Sequence, residues 1–301
     1  MRRPQRGVAV LTAILIVAVA ASTAALMLAQ QSATLDQAAL VAARAQADLY
    51  ARAGLDWARG VLLQDMATAA SYDGLDEPWA EPIAALPVDR AIVAGAIADE
   101  QGKFNLNNLF AGGARSDADY KAFQRLLASL NLSPELADAV VDWIDPDSNL
   151  SGSGGAEDPY YLSLAKPYRT ANEPMVQVEE LYRVRGFDAA TVQKLKPYVT
   201  ALPAPAKVNI NTASDVVLAA LLPDVPADRI ANAIAMRRTK PFRSADDIAR
   251  WAGSPRDALD VKSSFFSIRI QVAQDDVNLA TDALVQRGGG QVAVLWRRPV
   301  F

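Results

Sequence analysis

The residues with the most chemistry to offer lie in one stretch, Asp142 to Tyr161, which reads DWIDPDSNLSGSGGAEDPYY. Five carboxylates, Asp142, Asp145, Asp147, Glu157 and Asp158, fall within it, and no basic residue follows until Lys166, so at neutral pH they repel one another. Gly and Ser fill the interval, a composition that leaves a long loop floppy unless something ties it. Ca2+ would relieve the repulsion and tie the loop, because it takes six to eight carboxylate and carbonyl oxygens at ~2.4 Å and hard oxygen ligands are what the stretch supplies. Asp145-x-Asp147-x-Asn149 has the opening spacing of an EF-hand loop, but Leu150 stands at the sixth position in place of Gly and Ala156 at the twelfth, with Glu157 one place late. It is not an EF-hand. The expected ligands are Asp145, Asp147, Glu157 and Asp158, with Asp142 next; a solvated acidic loop is the plain alternative, and the residues alone leave both open. Carboxylate pairs beside Trp143, Tyr160 and Tyr161 also raise glycoside hydrolysis, yet a Gly-rich loop is a poor mount for groups that must be held to within about half an ångström.

The rest of the composition removes most other chemistry. Among 301 residues there is no His and no Cys, hence no imidazole base, no Ser-His-Asp triad, no thiol nucleophile, no cysteine zinc site and no disulfide. Thirty basic residues against 34 acidic ones give a formal charge of -4, which argues against a dominant polyanion-binding role. Half the residues are apolar and the length suits about two domains, so an ordinary globular body is expected.

At the other end, Val8 to Leu28 is an uncharged block of 21 residues, VAVLTAILIVAVAASTAALML, long enough to span a bilayer once. Arg2, Arg3 and Arg6 precede it and would hold that end in the cytoplasm, sending the remainder outward. A cleavable secretory signal, cut near Ala20 to Ala24, is the competing reading. Against it, no Gly or Pro occurs between Gly7 and Gly54, so one helix of about 70 Å is allowed, and the break lies before the apolar block, at Arg6-Gly7-Val8.

A Gly-ended basic leader before an uninterrupted apolar helix resembles the type IV pilins and pseudopilins, in which prepilin peptidase cuts after the Gly and the new first residue is N-methylated. Gly7 and Val8 match those positions. Most members of that class carry Glu at the fifth mature residue, where this chain has Thr12. The departure is a feature of one minor pseudopilin family, the general secretion pathway protein K of type II secretion. Members of that family also carry an acidic stretch with a Gly-Ala-Glu-Asp run, present here as Gly155-Ala156-Glu157-Asp158. The resemblance covers nearly the whole chain. It implies Ca2+ bound by the acidic loop, a tip position on a short pseudopilus that exports folded proteins, a single-pass inner-membrane anchor with a periplasmic domain, no enzymatic activity, and the minor pseudopilins I, J and H as partners. A missing carboxylate at Thr12 suits a tip subunit, since no preceding amino terminus lies beyond it to be neutralised.

The expected fold is α+β: a pilin-like long N-terminal helix packed on a small antiparallel sheet, with a large inserted all-α domain containing two helix-hairpin-helix-like units. Residues 1–7 form the leader, 8–72 the helix (8–28 its membrane or filament-core segment), 73–110 and 263–301 the α+β part, and 111–262 the insertion, with the acidic loop at 142–173. Asp73 to Pro87 reads as a loop, Arg90 to Asp99 as a strand, Ser264 to Ala273 as a strand with Phe266, Ile268, Ile270 and Val272 on one face, and Val277 to Trp296 as a hairpin about Gly288-Gly289-Gly290. The helical middle is read as duplicated. Phe104-Asn105-Leu106-Asn107 resembles Val208-Asn209-Ile210-Asn211, Ser133-Pro134 echoes Val225-Pro226, and Pro174, Leu181, Gly186 and Tyr198 match Pro241, Ile248, Gly253 and Phe265 at one offset of 67. Both Asn-x-Asn segments are expected to cap the following helix. The second unit, Val208 to Ile248, is similar to competence-type DNA-binding modules, which makes a periplasmic DNA-uptake protein the second functional reading, with Arg237, Arg238, Lys240 and Arg243 as its phosphate contacts. Its turn, Pro223-Asp224-Val225-Pro226, lacks the Gly-rich anion nest, and no nucleic acid is expected.

Overall fold

A computed structural model describes residues 6–68, 71–254 and 256–300, with side-chain surroundings given from Val8 onward. Arg2 and Arg3 of the expected leader lie outside the described residues. Helix α1 runs Arg6–Ala67, and its two halves differ completely in environment. Every residue from Val8 to Ala42 is exposed, whereas Ala47, Ala51, Leu55, Ala58 and Leu62, one stripe at helical spacing, are buried. The helix stops at Ala67, earlier than residue 72, because Asp73 is drawn into tertiary contacts: its N–H donates to Val261 O (2.7 Å) and its carboxylate accepts from Ser263 N (2.7 Å).

The buried stripe lies on a five-stranded antiparallel sheet. In spatial order it is β1 (Ile83–Val88), β2 (Ala91–Asp99), β3 (Phe265–Gln274), β4 (Val277–Gly288) and β5 (Gln291–Val300). The alternation read in β3 places Phe266, Ile268, Ile270 and Val272 against α1, with Trp79 edge-on to Phe266 at 5.2 Å. A Cβ on Gly54 would meet Ile270 Cγ2 at 3.1 Å, so Gly54 lets helix and sheet approach closely. The β4–β5 turn uses Gly289 and Gly290 at φ +59° and +79°. Strand β1 overlaps the end of the segment expected to be a loop, Asp73 to Pro87. Pro87 lacks an N–H, but β1 is an edge strand and its register slips between Ile83 and Leu86, so the proline is tolerated there.

Two helical bodies are inserted between β2 and β3. The first holds α2 (Asp117–Ser129), α3 (Leu136–Ile144), α4 (Asp158–Leu162), a 3-10 turn Val178–Arg183 and α5 (Ala189–Leu195). The second holds α6 (Asp215–Leu221), α7 (Ala227–Met236) and α8 (Ala245–Ala252). Each has its own core, and Phe104, Leu106 and Leu109, assigned by sequence to the α+β part, are core residues of the first helical body. The sheet's reach therefore ends nearer Gly102 than residue 110.

The duplication is explicit in the hydrogen bonds. Phe104–Asn105 pairs in parallel with Val199–Thr200, and Val208–Asn209 with Leu259–Asp260. Asn107 clamps the backbone of Met175 through Nδ2 to O (2.9 Å) and N to Oδ1 (2.8 Å); Asn211 does the same to Phe242 (2.9 Å and 2.9 Å). Local bonds are also present, since Asn105 and Asn209 accept from Asn107 N and Asn211 N, but the second Asn of each segment works at long range rather than as a cap. Gly186 and Gly253 share a left-handed φ of +83° and +81°. Past them the offset of 67 fails: the counterpart of Tyr198 is Ala258, not Phe265, because the seven-residue α5 has no equivalent in the second unit.

Buried polar groups join the bodies to the sheet. Asp99 accepts from Gln101 N (2.8 Å), Asn209 Nδ2 (2.9 Å), Thr212 Oγ1 (2.6 Å) and Ser263 Oγ (2.6 Å). Its burial pushes the carboxyl up to about 6 against those bonds.

Candidate metal centre

Helix α3 builds one wall of the acidic site. Asp138, Asp142 and Asp145 follow at spacings of four and three, so they share a face, and Pro146 helps to end the helix just beyond them. All three are buried. The Gly-Ser run then folds back over this face. Ser151 N donates to Asp142 Oδ1 (2.8 Å), Gly154 N donates to Asp138 Oδ2 (3.1 Å), and Tyr120 Oη donates to Asp138 Oδ1. Only glycine fits so close: a Cβ on Gly152 would lie 2.3 Å from Asp138 Oδ2, and one on Gly155 would lie 2.2 Å from Asp142 Oδ2. Asp138 belongs to this wall although it precedes the segment singled out by sequence; its place four residues before Asp142 on a helix is the signal that would have found it.

The returning segment, from Gly155 into α4, carries Glu157 and Asp158. Glu157 is buried and Thr170 Oγ1 lies 3.5 Å from its Oε2, while Asp158 accepts from Thr170 N (3.1 Å) and Oγ1 (3.0 Å) and pairs with Arg169 at 3.2 Å. Asp147 is exposed at the rim, where its Oδ1 accepts from Asn149 N (2.7 Å) and Nδ2 (2.8 Å). Three carboxylates remain with a buried oxygen that no donor reaches: Asp142 Oδ2, Asp145 Oδ1 and Glu157 Oε1. Such orphans are expensive unless a cation answers them. Burial pushes Asp145 up to about 6 and Glu157 to about 7, with further upward pressure on Asp145 from Asp147 and Asp142, and on Glu157 from Asp142, Asp145, Asp147 and Asp158. Burial raises Asp142 as well. These three buried oxygens are of the hard kind a divalent cation takes, although they do not lie within 4.8 Å of one another as the side chains stand, and Arg185 reaches the loop only at Gly155 O (2.7 Å).

The acidic group among the described residues whose oxygens do converge is a different one. Oxygens of Asp65, Asp73 and Glu77 lie within 4.8 Å of one another, but Arg287 already answers them, bonding Asp65 at 2.5 Å and pairing with Asp73. Its guanidinium does there what an ion would do.

Of the groups expected to contact DNA, Arg237 is buried and donates to Ile210 O (3.0 Å) and Ala213 O (2.5 Å). It secures the loop before α6 and cannot reach a phosphate. Asp224 of the hairpin turn is held by both terminal nitrogens of Arg256, at 2.9 and 2.6 Å.

Comparison with known proteins gives one answer. Family models described as type II secretion system protein K match residues 102–204 and 208–269, dividing the chain where its two helical cores divide. The type II secretion system protein K of Pseudomonas aeruginosa is 34% identical over 99% of this chain and 93% of its own, and that of Aeromonas hydrophila 32% over 98% and 97%. The crystal structure of the GspK–GspI–GspJ complex from enterotoxigenic Escherichia coli matches with a TM-score of 0.75 at 25% identity, over 86% of this chain and 97% of the other. With an N-terminal helix apolar and long enough to cross a membrane once, an antiparallel sheet beneath it and two helical bodies between the strands, this chain belongs to the type II secretion system protein K family.

Proposed function

We propose that this chain is a non-enzymatic minor pseudopilin that caps the periplasmic pseudopilus of a type II secretion system. The observation that carries the reading is the division of α1: Val8 to Ala42 is exposed throughout, while the stripe from Ala47 to Leu62 is buried against the sheet. An apolar helix without an internal partner takes lipid before assembly and neighbouring subunit helices after it. Prepilin peptidase cuts between Gly7 and Val8 and the new terminus is methylated. Thr12 spends its hydroxyl on its own helix, donating toward Val8 O (3.1 Å) and Ala9 O (3.0 Å), and so offers no charge to a neighbour's amino terminus. Two helical bodies beside the sheet are bulk that no further subunit can stack upon. The complex formed by the Escherichia coli relative supports I and J as partners, with H completing the set.

Asp142, Asp145 and Glu157, with Asp147 at the rim, would hold Ca2+, which supplies the positive charge that lets the loop's carboxylates stay ionised while buried. The chain's own part is to hold the loop on α3 through Ser151 and Gly154 and to seal it with Tyr161, packed edge-on to Trp143 at 5.4 Å. Asp142, Asp145 and Glu157 are buried and the chain contains neither His nor Cys, which supports a structural and not a catalytic role.

The test is complementation of a secretion-deficient strain lacking its own protein K. The full chain restores exoprotein release and its mass begins at Val8; Gly7→Val keeps the leader and abolishes release. Restoration by an uncleaved chain would overturn the assignment.

A further inference from the structure

The second helical body contains an open groove of about 880 Å3 between α7 and α8. Its place in the duplication indicates what fills it. Helix α7 corresponds to α3, and α8 to the turn Val178–Arg183. In the first body the space between those two elements is occupied by the chain's own insertion. Tyr161, fully buried, packs against Trp143 of α3, and its Oη accepts from Arg185 N (3.2 Å); Tyr168 Oη donates to Arg183 O (2.7 Å). Glu157 and Asp158 lead directly into that plug. The second body passes from Met236 to Pro241 without an insertion, so the same face stays open: Ile144 is 3% exposed and its counterpart Met236 is 53% exposed.

The walls have also changed sign. Arg229, Lys240, Arg243 and Arg250 line the groove beside Phe242 and Trp251, whose rings meet edge to face at 5.5 Å. Asp247 is consumed by Arg250 and by the Arg243 N–H, which leaves Asp228 as the remaining lining carboxylate. Arg229 donates to Trp251 O (3.2 Å) and Arg243 lies over the Tyr72 ring (5.6 Å), so neither guanidinium is neutralised by a carboxylate. In a chain of formal charge -4, this is a local excess of positive charge around an apolar floor.

We propose that the α7–α8 groove binds a segment of a partner polypeptide that carries carboxylates beside an aromatic side chain, seated as the insertion is seated in the first body. The aromatic ring packs on Met236, Phe242 and Trp251, and the carboxylates face Arg229, Lys240 and Arg243. The groove belongs to one helical body, so its occupancy does not depend on whether the chain caps a filament.

The test uses the full chain in a nonionic detergent and a fluorescein-labelled peptide with the sequence of residues 155–164, GAEDPYYLSL, read by anisotropy. Binding is expected to weaken about tenfold or more on combining Lys240→Glu with Arg243→Glu, to fall with added salt, and to be unchanged by Lys121→Glu on α2. A peptide with lysines in place of its Glu and Asp, and one with alanines in place of both tyrosines, are expected to bind at least tenfold more weakly. These charge reversals lie on exposed side chains, and circular dichroism checks that they fold. Equal affinity for the lysine peptide, indifference to the charge reversals, or no binding by ~1 mM peptide overturns the proposal. Tighter binding of a DNA duplex of about 20 base pairs than of the acidic peptide overturns it too, and gives the groove to nucleic acid.

Discussion

Chelation tests most directly the proposal that Ca2+ fills the acidic site. Asp142 Oδ2, Asp145 Oδ1 and Glu157 Oε1 are buried without a donor, and each such atom costs ~1–3 kcal/mol while unanswered, or about 3–9 kcal/mol together. An ion that answers them binds the folded chain and not the unfolded one. At a hundredfold excess over its dissociation constant it therefore adds about 2.7 kcal/mol, close to the lower end of that range. If the chain melts as one unit, ~1 kcal/mol moves the melting temperature by about 2–4 °C, so chelation with EGTA is expected to lower it by roughly 5–11 °C, as read by circular dichroism of the detergent-solubilised chain. Mg2+ should not substitute, because it is reluctant to shed its water for a set of buried carboxylates. Asp142→Asn separates an ion site from a merely acidic loop. It should abolish the calcium-dependent increment while leaving the chelated protein equally or more stable, since one of several repelling charges has gone. Identical melting in EGTA and in Ca2+, or an Asn variant that loses stability equally under both conditions, would refute the reasoning.

Asp99 sets a pH dependence elsewhere in the chain. With its folded value near 6 against ~3.9 unfolded, its contribution is complete below about pH 4 and is lost as pH rises through 6, about 3 kcal/mol in all, and Asp99→Asn should flatten that part of a stability profile between pH 5 and 7.5. Asn211→Ala frees the N–H and C=O of Phe242 and is expected to cost ~2–4 kcal/mol by urea denaturation, and Asn107→Ala, which frees those of Met175 and also the buried Leu202 C=O, should cost more. Arg287→Met strands Asp65 and Asp73 beside Glu77 and should cost about 3–5 kcal/mol; a variant that melts with the wild type would show that the carboxylates find other partners. Gly155→Ala places a methyl group where Asp142 Oδ2 lies, so calorimetry should find calcium affinity reduced by roughly tenfold or more while the sheet's near-ultraviolet signal from Trp79 is unchanged.

The parts of this fold that could be read in the sequence are those where one physical constraint dominates. An uninterrupted apolar run gives α1, strict alternation gives the inner face of β3, and a glycine triplet gives the β4–β5 turn. Where two constraints compete, the sequence misleads. Pro87 argues against a strand until it is known that β1 lies at the sheet's edge. Arg237 sits in a run of basic residues and reads as a surface cation, yet its guanidinium is spent on the carbonyls of Ile210 and Ala213. Asn107 and Asn211 read as local caps because local partners are what spacing can suggest; their actual partners, Met175 and Phe242, lie 68 and 31 residues away. The acidic cluster was visible as a charge imbalance. The division of labour within it was not, because it depends on which oxygens neighbouring N–H groups happen to reach: Asp158 is satisfied by Thr170 and Arg169, while Asp142 is left with an orphan.

The two helical bodies show how a duplicated module takes on separate tasks without new architecture. Both retain the Asn clamp, the left-handed glycine and the parallel strand pair, the features that fix the backbone. Apart from α5, which only the first body has, they diverge at the connection leaving the second helix. In the first body that connection lengthens and becomes acidic, and its tyrosines close the space between α3 and the following turn. Such a plug exposes its own carboxylates to one another, so it needs a counter-charge, and none of the basic side chains nearby reaches Asp142, Asp145 or Glu157. In the second body the connection stays short, the space stays open, and the charge on its walls is positive. A segment of the first body's kind is therefore complementary to the second body's groove in both shape and sign. The same comparison explains why the wall of α7 tolerates Met236 and Arg229 at positions where α3 needs Ile144 and Ala137: the first pair faces an open groove and the second a filled one.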